Sequence, residues 1–315
     1  MNKLLVTTSP HIHDNVSTQK LMGRVCIAML PALVASCLIF GINSLFLTAV
    51  SAAACVGFEA LWNIIMKKDQ TIGDLSAVVT GVLLAFNVPP TFPVWMLIIG
   101  DLVAIIVVKQ LFGGIGFNFA NPAIVARIVL SLSFTNEMTA YAFPDVGIDA
   151  LATATPLAAS MYSTPWMELL LGTHGGVLGE TCAIALLLGG LYLILSGTIS
   201  AMIPVSTLAS VAVMCAVCGR VDEIPLQLLS GGLLLGAFFM ATDYVTSPYT
   251  RWGKLIYGVG IGVITCLIRF YGDAAEGVSY AILLMNIVTP YINRGIRQRP
   301  LGVKRQRCKK EGKNA

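Results

Sequence analysis

Residues Leu21 to Phe40 read LMGRVCIAMLPALVASCLIF, twenty positions with a single charge, Arg24, among apolar and small side chains. A helix rises about 1.5 Å per residue, so a block of this length crosses a hydrocarbon core roughly 30 Å thick. This stretch is therefore predicted to be a membrane span. Outward from it the pattern repeats, over Leu45 to Ile65, Leu75 to Asn87, Val94 to Phe112, Pro122 to Phe134, Val177 to Ser196, Ile199 to Cys218, Leu226 to Ala241, Leu255 to Arg269 and Gly277 to Ile292. The expectation is an all-α membrane protein of about ten spans. Several blocks, the third, eighth and ninth among them, are short, which predicts broken helices or extension into adjoining Gly- and Pro-rich segments. Backbone that leaves the helix at membrane depth must be buried in protein or line a cavity, so such breaks mark candidate sites.

Composition agrees. The chain is 56% hydrophobic and 11% charged, with a mean hydropathy of +0.81, whereas a soluble domain carries about 25% charged residues. A soluble globule is excluded. Residues 1–20 are polar (Ser9, His11, His13, Asp14, Gln19) and read as a cytoplasmic leader rather than a cleaved signal peptide. His11 and His13, without further ligands, read as partner contacts rather than metal ligands.

Nine of the 20 Lys and Arg lie after Asn293. Following a membrane helix, this basic tail, 294–315, is a topology signal and not a nucleic-acid patch; the surroundings it implies are a lipid bilayer. It places both termini in the cytoplasm, with Lys67, Lys68, Arg251 and Lys254. Residues 135–176, which hold no Lys or Arg, become an external loop. The eight cysteines imply no disulfide framework. Cys215 and Cys218 form a lone CxxC without the four ligands of a structural zinc or iron-sulfur site, and read as packing residues. No metal site is expected.

The chain also echoes itself. TGVLLAFNVPP at Thr80 to Pro90 parallels SGGLLLGAFFMATDYVTSP at Ser230 to Pro248, and GGIGFNFANPA at Gly113 to Ala123 parallels EGVSYAILLMNIVTP at Glu276 to Pro290. Five spans separate the copies, which predicts two inverted five-helix repeats, 21–134 and 177–293, with a site near their interface. Ionisable residues within or beside spans are costly in lipid and point to cavities or partners. Lys109, Asp243 and Arg269 lie near span ends, where snorkelling suffices. Glu59, Asp101 and Glu180 lie deeper and are the candidates for an ion pathway. Arg127 also falls within a span.

Five segments, SPHIH at Ser9 to His13, GVLLAFNVPP at Gly81 to Pro90, GGIGFNFANPA, ATDYVTSP at Ala241 to Pro248 and EGVSYAILLMN at Glu276 to Asn286, make the chain resemble the RnfD/NqrB family over nearly its whole length. The Rnf branch fits better than the quinone-reducing branch, whose members carry a longer N-terminal extension. The resemblance implies a subunit of a redox-driven ion pump of the ferredoxin:NAD oxidoreductase type, moving sodium or protons and not catalytic alone. It implies FMN joined through its phosphate to a threonine by a flavin transferase that recognises an Asp followed six residues later by Thr. Asp149, Ala154 and Thr155 match that pattern, with Thr153 the competing acceptor, since Ala152 and Thr153 stand where relatives have Ser and Gly. A second, non-covalent flavin is a further expectation, as are partner subunits A, B, C, E and G, with G at the external face, in the cytoplasmic membrane of a bacterium. Two other readings stay open: the B subunit of a sodium-pumping NADH:quinone reductase, and a stand-alone secondary transporter or channel.

Overall fold

A computed structural model describes residues 16–141, 166–172, 174–272 and 277–296, which contain helices and no strand. Three helices are long and apolar enough to cross a membrane: α1 (Thr18–Phe40), α2 (Asn43–Ile65) and α12 (Arg251–Tyr271). Other expected spans appear as shorter pieces, α3 (Ser76–Ala85), α5 (Pro122–Ser133), α8 (Ala183–Leu195) and α9 (Met202–Val217). The connecting and terminal pieces are α4 (Val94–Leu102), α6 (Thr135–Met138), α7 (Trp166–Leu171), α10 (Ile224–Leu229), α11 (Leu233–Leu235) and α13 (Val278–Gly295).

Of the short blocks, the third and eighth are broken for readable reasons, while the ninth extends into the unbroken α12. α3 stops before the Pro89-Pro90 pair, and a proline cannot donate to a helical ladder. The chain then re-enters as α4, which widens into a π-helix over Val103–Gln110. In the eighth block, Ser230-Gly231-Gly232 separates α10 from α11, and the helices on either side are bent by 64°. α11 likewise runs on as a π-helix, Gly236–Met240. Both α3 and α11 begin just after a residue of positive φ, Leu75 at 63° and Gly232 at 57°. The left-handed region costs Leu75 what glycine avoids, so the strain at Leu75 must be held by its surroundings.

Small residues set the closest packing. Gly258 and Gly262, one turn apart on α12, lie against Ser206, Ser210 and the backbone of Ile203 and Thr207 on α9, with no room for a Cβ. Gly81 of α3 sits so near the backbone of Ser51 and Ala52 on α2 that a Cβ would stand 2.7 Å from the Ala52 Cα. This is how membrane helices pack, by dispersion and close approach rather than by expelling water. The perimeter is correspondingly apolar, with Leu38, Leu132, Leu195 and Val217 exposed, as lipid or a partner subunit requires.

Candidate functional site

Two buried charge clusters and one cavity gather the polar chemistry of the described residues. The first cluster is a seam along α2. Ser44, Thr48, Ser51, Cys55, Glu59 and Asn63 recur at spacings of three or four, which puts them on one face, and all are buried. At one end Lys109 donates to both Glu59 oxygens at 3.1 and 3.0 Å and to Ser76 Oγ at 2.6 Å. Gln110 Nε2 donates to Glu59 at 3.1 Å, as does the Thr71 hydroxyl at 2.7 Å. Lys109 and Gln110 are sequence neighbours, yet both side chains reach the same carboxylate from the π-helical turn. Snorkelling, the expectation for Lys109, is wrong: it is 2% exposed, and its partner Glu59 is 1% exposed.

Higher in the seam, Asp101 accepts from Ser51 Oγ at 2.6 Å and Cys55 Sγ at 3.2 Å, while its Oδ2 has no hydrogen-bond partner. A small apolar layer of Cys55, Ala77 and Ile105 packs in the same seam. Two of the three carboxylates predicted for an ion pathway, Glu59 and Asp101, thus share one seam. Glu180 stands elsewhere.

Glu180 belongs to the second cluster, a junction assembled from distant segments. Its carboxylate faces the backbone of Gly231 and Gly232 and interacts with Arg127 and Arg269. Gly232 lies beside both, since a Cβ on it would stand 3.4 Å from Arg127 Nη1 and 3.5 Å from Glu180 Oε2. Arg127 also donates to Asn87 Oδ1 at 2.8 Å and to Ser279 Oγ at 3.0 Å, tying the α3 break to α13. Arg269 is no interfacial snorkeller either. It donates to the carbonyls of Gln227, Ser230 and Gly231 at 2.7, 3.1 and 2.7 Å and to Gln227 Oε1 at 3.0 Å, which satisfies the carbonyls freed by the α10–α11 break. Tyr141 interacts with Glu180 and Arg127. His174 lies buried in the stretch 174–182 that also carries Glu180, and neither ring nitrogen has a partner; burial holds its imidazole down at about 4, hence neutral near pH 7.

The cavity, about 90 Å³, lies between the α3 and α11 series. Ser76, Thr80, Lys109, Asn118, Asn121 and Asp243 supply its polar wall, and Phe238 and Phe239 an aromatic one. The Asn-Pro of FANPA has a local cause: Asn121 caps α5 by accepting from the Ala123 amide at 3.0 Å, Pro122 takes the first helical turn, and Asn121 Nδ2 donates to Met240 O at 3.2 Å. Asn118 Oδ1 is buried without a partner. Asp243 accepts from the Val245 amide at 3.4 Å and the Thr246 hydroxyl at 3.3 Å, a turn structure inside ATDYVTSP.

Sequence reasoning missed Asn87, Ser279 and Gln227 as members of the site. The first two lay inside quoted segments, but nothing in the sequence paired them with Arg127. Asp149, Thr153 and Thr155, like His11 and His13, lie outside the described residues. Cys215 is buried within α9 and Cys218 caps its end, consistent with a packing role.

An all-helical, multi-pass membrane protein whose broken helices bring buried charges together is the class that this fold and site define. More narrowly, the chain belongs to the NQR2, RnfD, RnfE family, which matches residues 5–302. It is 47% identical over 319 residues to the D subunit of the Na(+)-translocating ferredoxin:NAD(+) oxidoreductase complex of Acetobacterium woodii, covering 98% of each chain. Identity is 38% over 323 residues, 96% of this chain and 98% of the relative, with the D subunit of the proton-translocating ferredoxin:NAD(+) oxidoreductase complex of Clostridium ljungdahlii. With the D subunit of the ion-translocating oxidoreductase complex of Salmonella arizonae it is 34% over 347 residues, 94% and 98% of the two chains.

Proposed function

We propose that this chain is the D-type membrane subunit of an ion-translocating ferredoxin:NAD oxidoreductase complex, working with partner subunits and not as an enzyme alone. The observation that carries this is the end-to-end likeness to a D-type relative, 47% identical over 98% of both chains. It favours the Rnf branch over the quinone-reducing one and over a stand-alone transporter. The protein sits in the cytoplasmic membrane with about ten spans in two inverted five-helix repeats, 21–134 and 177–293, and both termini in the cytoplasm. Support comes from the matched starts of α3 and α11, each after a left-handed residue, with α3 ending at a break and α11 running through a π-helix before its own. Support comes also from the paired cations, Lys109 at the start of α3 and Arg269 at the start of α11.

In this reading Thr155, in the external loop 135–176, carries FMN through its phosphate, with Asp149 recognised by a flavin transferase. A threonine hydroxyl is too weak a nucleophile to acquire a phosphate unaided, which is why a transferase is required. The bound flavin supplies electron transfer, while the protein supplies position and charge. This reading draws support from the unpartnered buried polar atoms of Glu180 and His174 in the stretch 174–182, which follows the loop in sequence. A second, non-covalent flavin belongs to the same reading, but the cavity of about 90 Å³ is too small to hold its three-ring system, since ligand sites run to about 300 Å³ or more. The external loop, free of basic residues, is the docking face for a G-type subunit, and A, B, C and E complete the complex. Sodium or a proton is the cargo, and Glu59, Asp101 and Glu180 are the carboxylates nearest its route.

In-gel flavin fluorescence after denaturation tests the anchor. Thr155→Ala abolishes it while the helices still insert, Thr155→Ser retains part of it, and Thr153→Ala leaves it largely in place. Fluorescence that follows Thr153 shifts the anchor by two residues, and fluorescence indifferent to both removes it from this loop.

A further inference from the structure

The Asp101 end of the seam is short of one hydrogen. The Ser51 hydroxyl stands 2.9 Å from Gly81 O and 2.6 Å from Asp101 Oδ1, both within hydrogen-bond reach. A hydroxyl carries a single hydrogen and can serve only one of these oxygens fully. With Asp101 ionised, the other contact is a pair of oxygens pressed together with nothing between them. Close packing holds them there, since a Cβ on Gly81 would stand 2.8 Å from Ser51 O. A proton on Asp101 Oδ1 completes the set: Asp101 donates to Ser51 Oγ, and the Ser51 hydrogen goes to Gly81 O. The 2.6 Å separation suits an O–H···O bond with either partner as donor. The surroundings favour the same proton. Asp101, Ser51 and Cys55 are fully buried, and Asp101 Oδ2 has no partner. An ionised carboxylate in that setting needs a counter-charge or a full set of donors. On α2, Cys55 offers a weak thiol donor at 3.2 Å, and Glu59 one turn on is another acid. The Lys109 ammonium is taken by both Glu59 oxygens and Ser76. Ile105 stands midway in sequence between Asp101 and Lys109, in the apolar layer with Cys55 and Ala77. α3 carries no ionisable side chain, and the one charge on α5, Arg127, donates at the junction to Asn87 and Ser279.

We infer that Asp101 is a proton-binding site, holding one proton as a neutral carboxylic acid whose O–H donates to Ser51 Oγ, with that hydroxyl donating onward to Gly81 O. Loading takes one proton from hydronium and leaves water, and release reverses this, so one O–H bond forms or breaks and no electron moves. Occupied in this way, the site offers a sodium ion no charge, and the ligand it takes is a proton. The proton's part in transport rests on the ion-route reading above, whereas its presence on Asp101 rests on the hydrogen-bond geometry alone.

The test is infrared difference spectroscopy of the purified complex near pH 7, which reads protonation and not turnover. The wild-type spectrum minus that of Asp101→Asn shows the C=O stretch of one carboxylic acid, lost in the variant. Ser51→Ala removes the acceptor of the acid's O–H, so the band persists and moves to higher frequency. That second variant carries the test where Asp101→Asn fails to assemble. Paired carboxylate bands in place of the acid band, or no shift of an acid band in Ser51→Ala, overturn the inference. Exchange of sodium for potassium in the buffer leaves the acid band as it is, and a carboxylate signal that appears with sodium overturns the inference in favour of a metal-cation ligand. Ion uptake at the wild-type rate in Asp101→Asn overturns the ion-route reading instead, while the acid band still establishes the proton on Asp101.

Discussion

The seam and the junction are both buried charge clusters, yet they are built in opposite ways. The seam is local: Glu59 and Lys109 are 50 positions apart, and every element that holds them falls between α2 and the π-helical turn that extends α4. The junction is global: Arg127 and Ser279 are 152 positions apart, and the α3 break, the α10–α11 break and the stretch 174–182 close around them. In the seam the Glu59 carboxylate is met by an ammonium, an amide and a hydroxyl, so its charge is matched and its lone pairs are occupied. In the junction Glu180 Oε2 and Arg269 Nε stand without hydrogen-bond partners. A finished cluster of the first kind holds a fold together, and an unfinished one of the second kind is a place where a ligand or a carried charge belongs.

The largest test of that contrast is to break the seam. Lys109→Met leaves Glu59 as a buried carboxylate facing only neutral donors, and removing one partner of a buried pair costs about 3–5 kcal/mol. The expected outcome is a sharp loss of folded protein in detergent, read as a fall in thermal midpoint. Glu59→Gln added to Lys109→Met restores much of it, because the surviving amide no longer demands a counter-charge. A double variant as unstable as the single one would show that Lys109 does more than balance Glu59.

The sequence already contained the seam's outline, for a physical reason. Its members recur every three or four residues on one long helix, a spacing that places Glu59 and Cys55 on one face. The breaks were also legible, since Pro89-Pro90 and Gly231-Gly232 announce where a helix must stop. What was not legible was which charge meets which. Lys109 looked interfacial because it lies near a span's end, and only the π-helical turn aims it inward beside Gln110. Arg269 looked interfacial too, and its true partners are carbonyls, which every residue possesses and no pattern can single out. The junction needs contacts across more than a hundred positions, where one sequence offers no pairing signal.

The second test uses pH, and it acts on the stretch 174–182 that carries Glu180. His174 is held neutral, with its folded value near 4 against an ordinary 6.5. The unfolded chain therefore binds a proton first as pH falls, and stability is lost between pH 6.5 and 4, not gained. The difference corresponds to roughly 3 kcal/mol when fully expressed. His174→Gln removes this component, so its thermal midpoint declines less steeply than wild type over that window. Parallel curves for the two proteins would show that His174 is not the group that resists protonation.

The smallest effect on stability belongs to Asp101, and there the comparison is sharpest, because Asp101 is the unfinished part of the finished cluster. Its Oδ1 holds the Ser51 and Cys55 donors, and its Oδ2 holds nothing. Asp101→Asn keeps the first oxygen and replaces the second with an amide of nearly the same size. Stability should change by only about 1 kcal/mol, the cost of one unpaired buried donor. A carboxylate that serves packing alone would leave function equally untouched. If Asp101 instead takes part in cation passage, the neutral amide cannot carry or attract the cargo, and ion uptake by the reconstituted complex slows while covalent flavin and assembly persist. Slowed uptake with intact flavin is the expected result. Uptake equal to wild type would leave the seam a purely structural element and move the search for the ion's route away from α2.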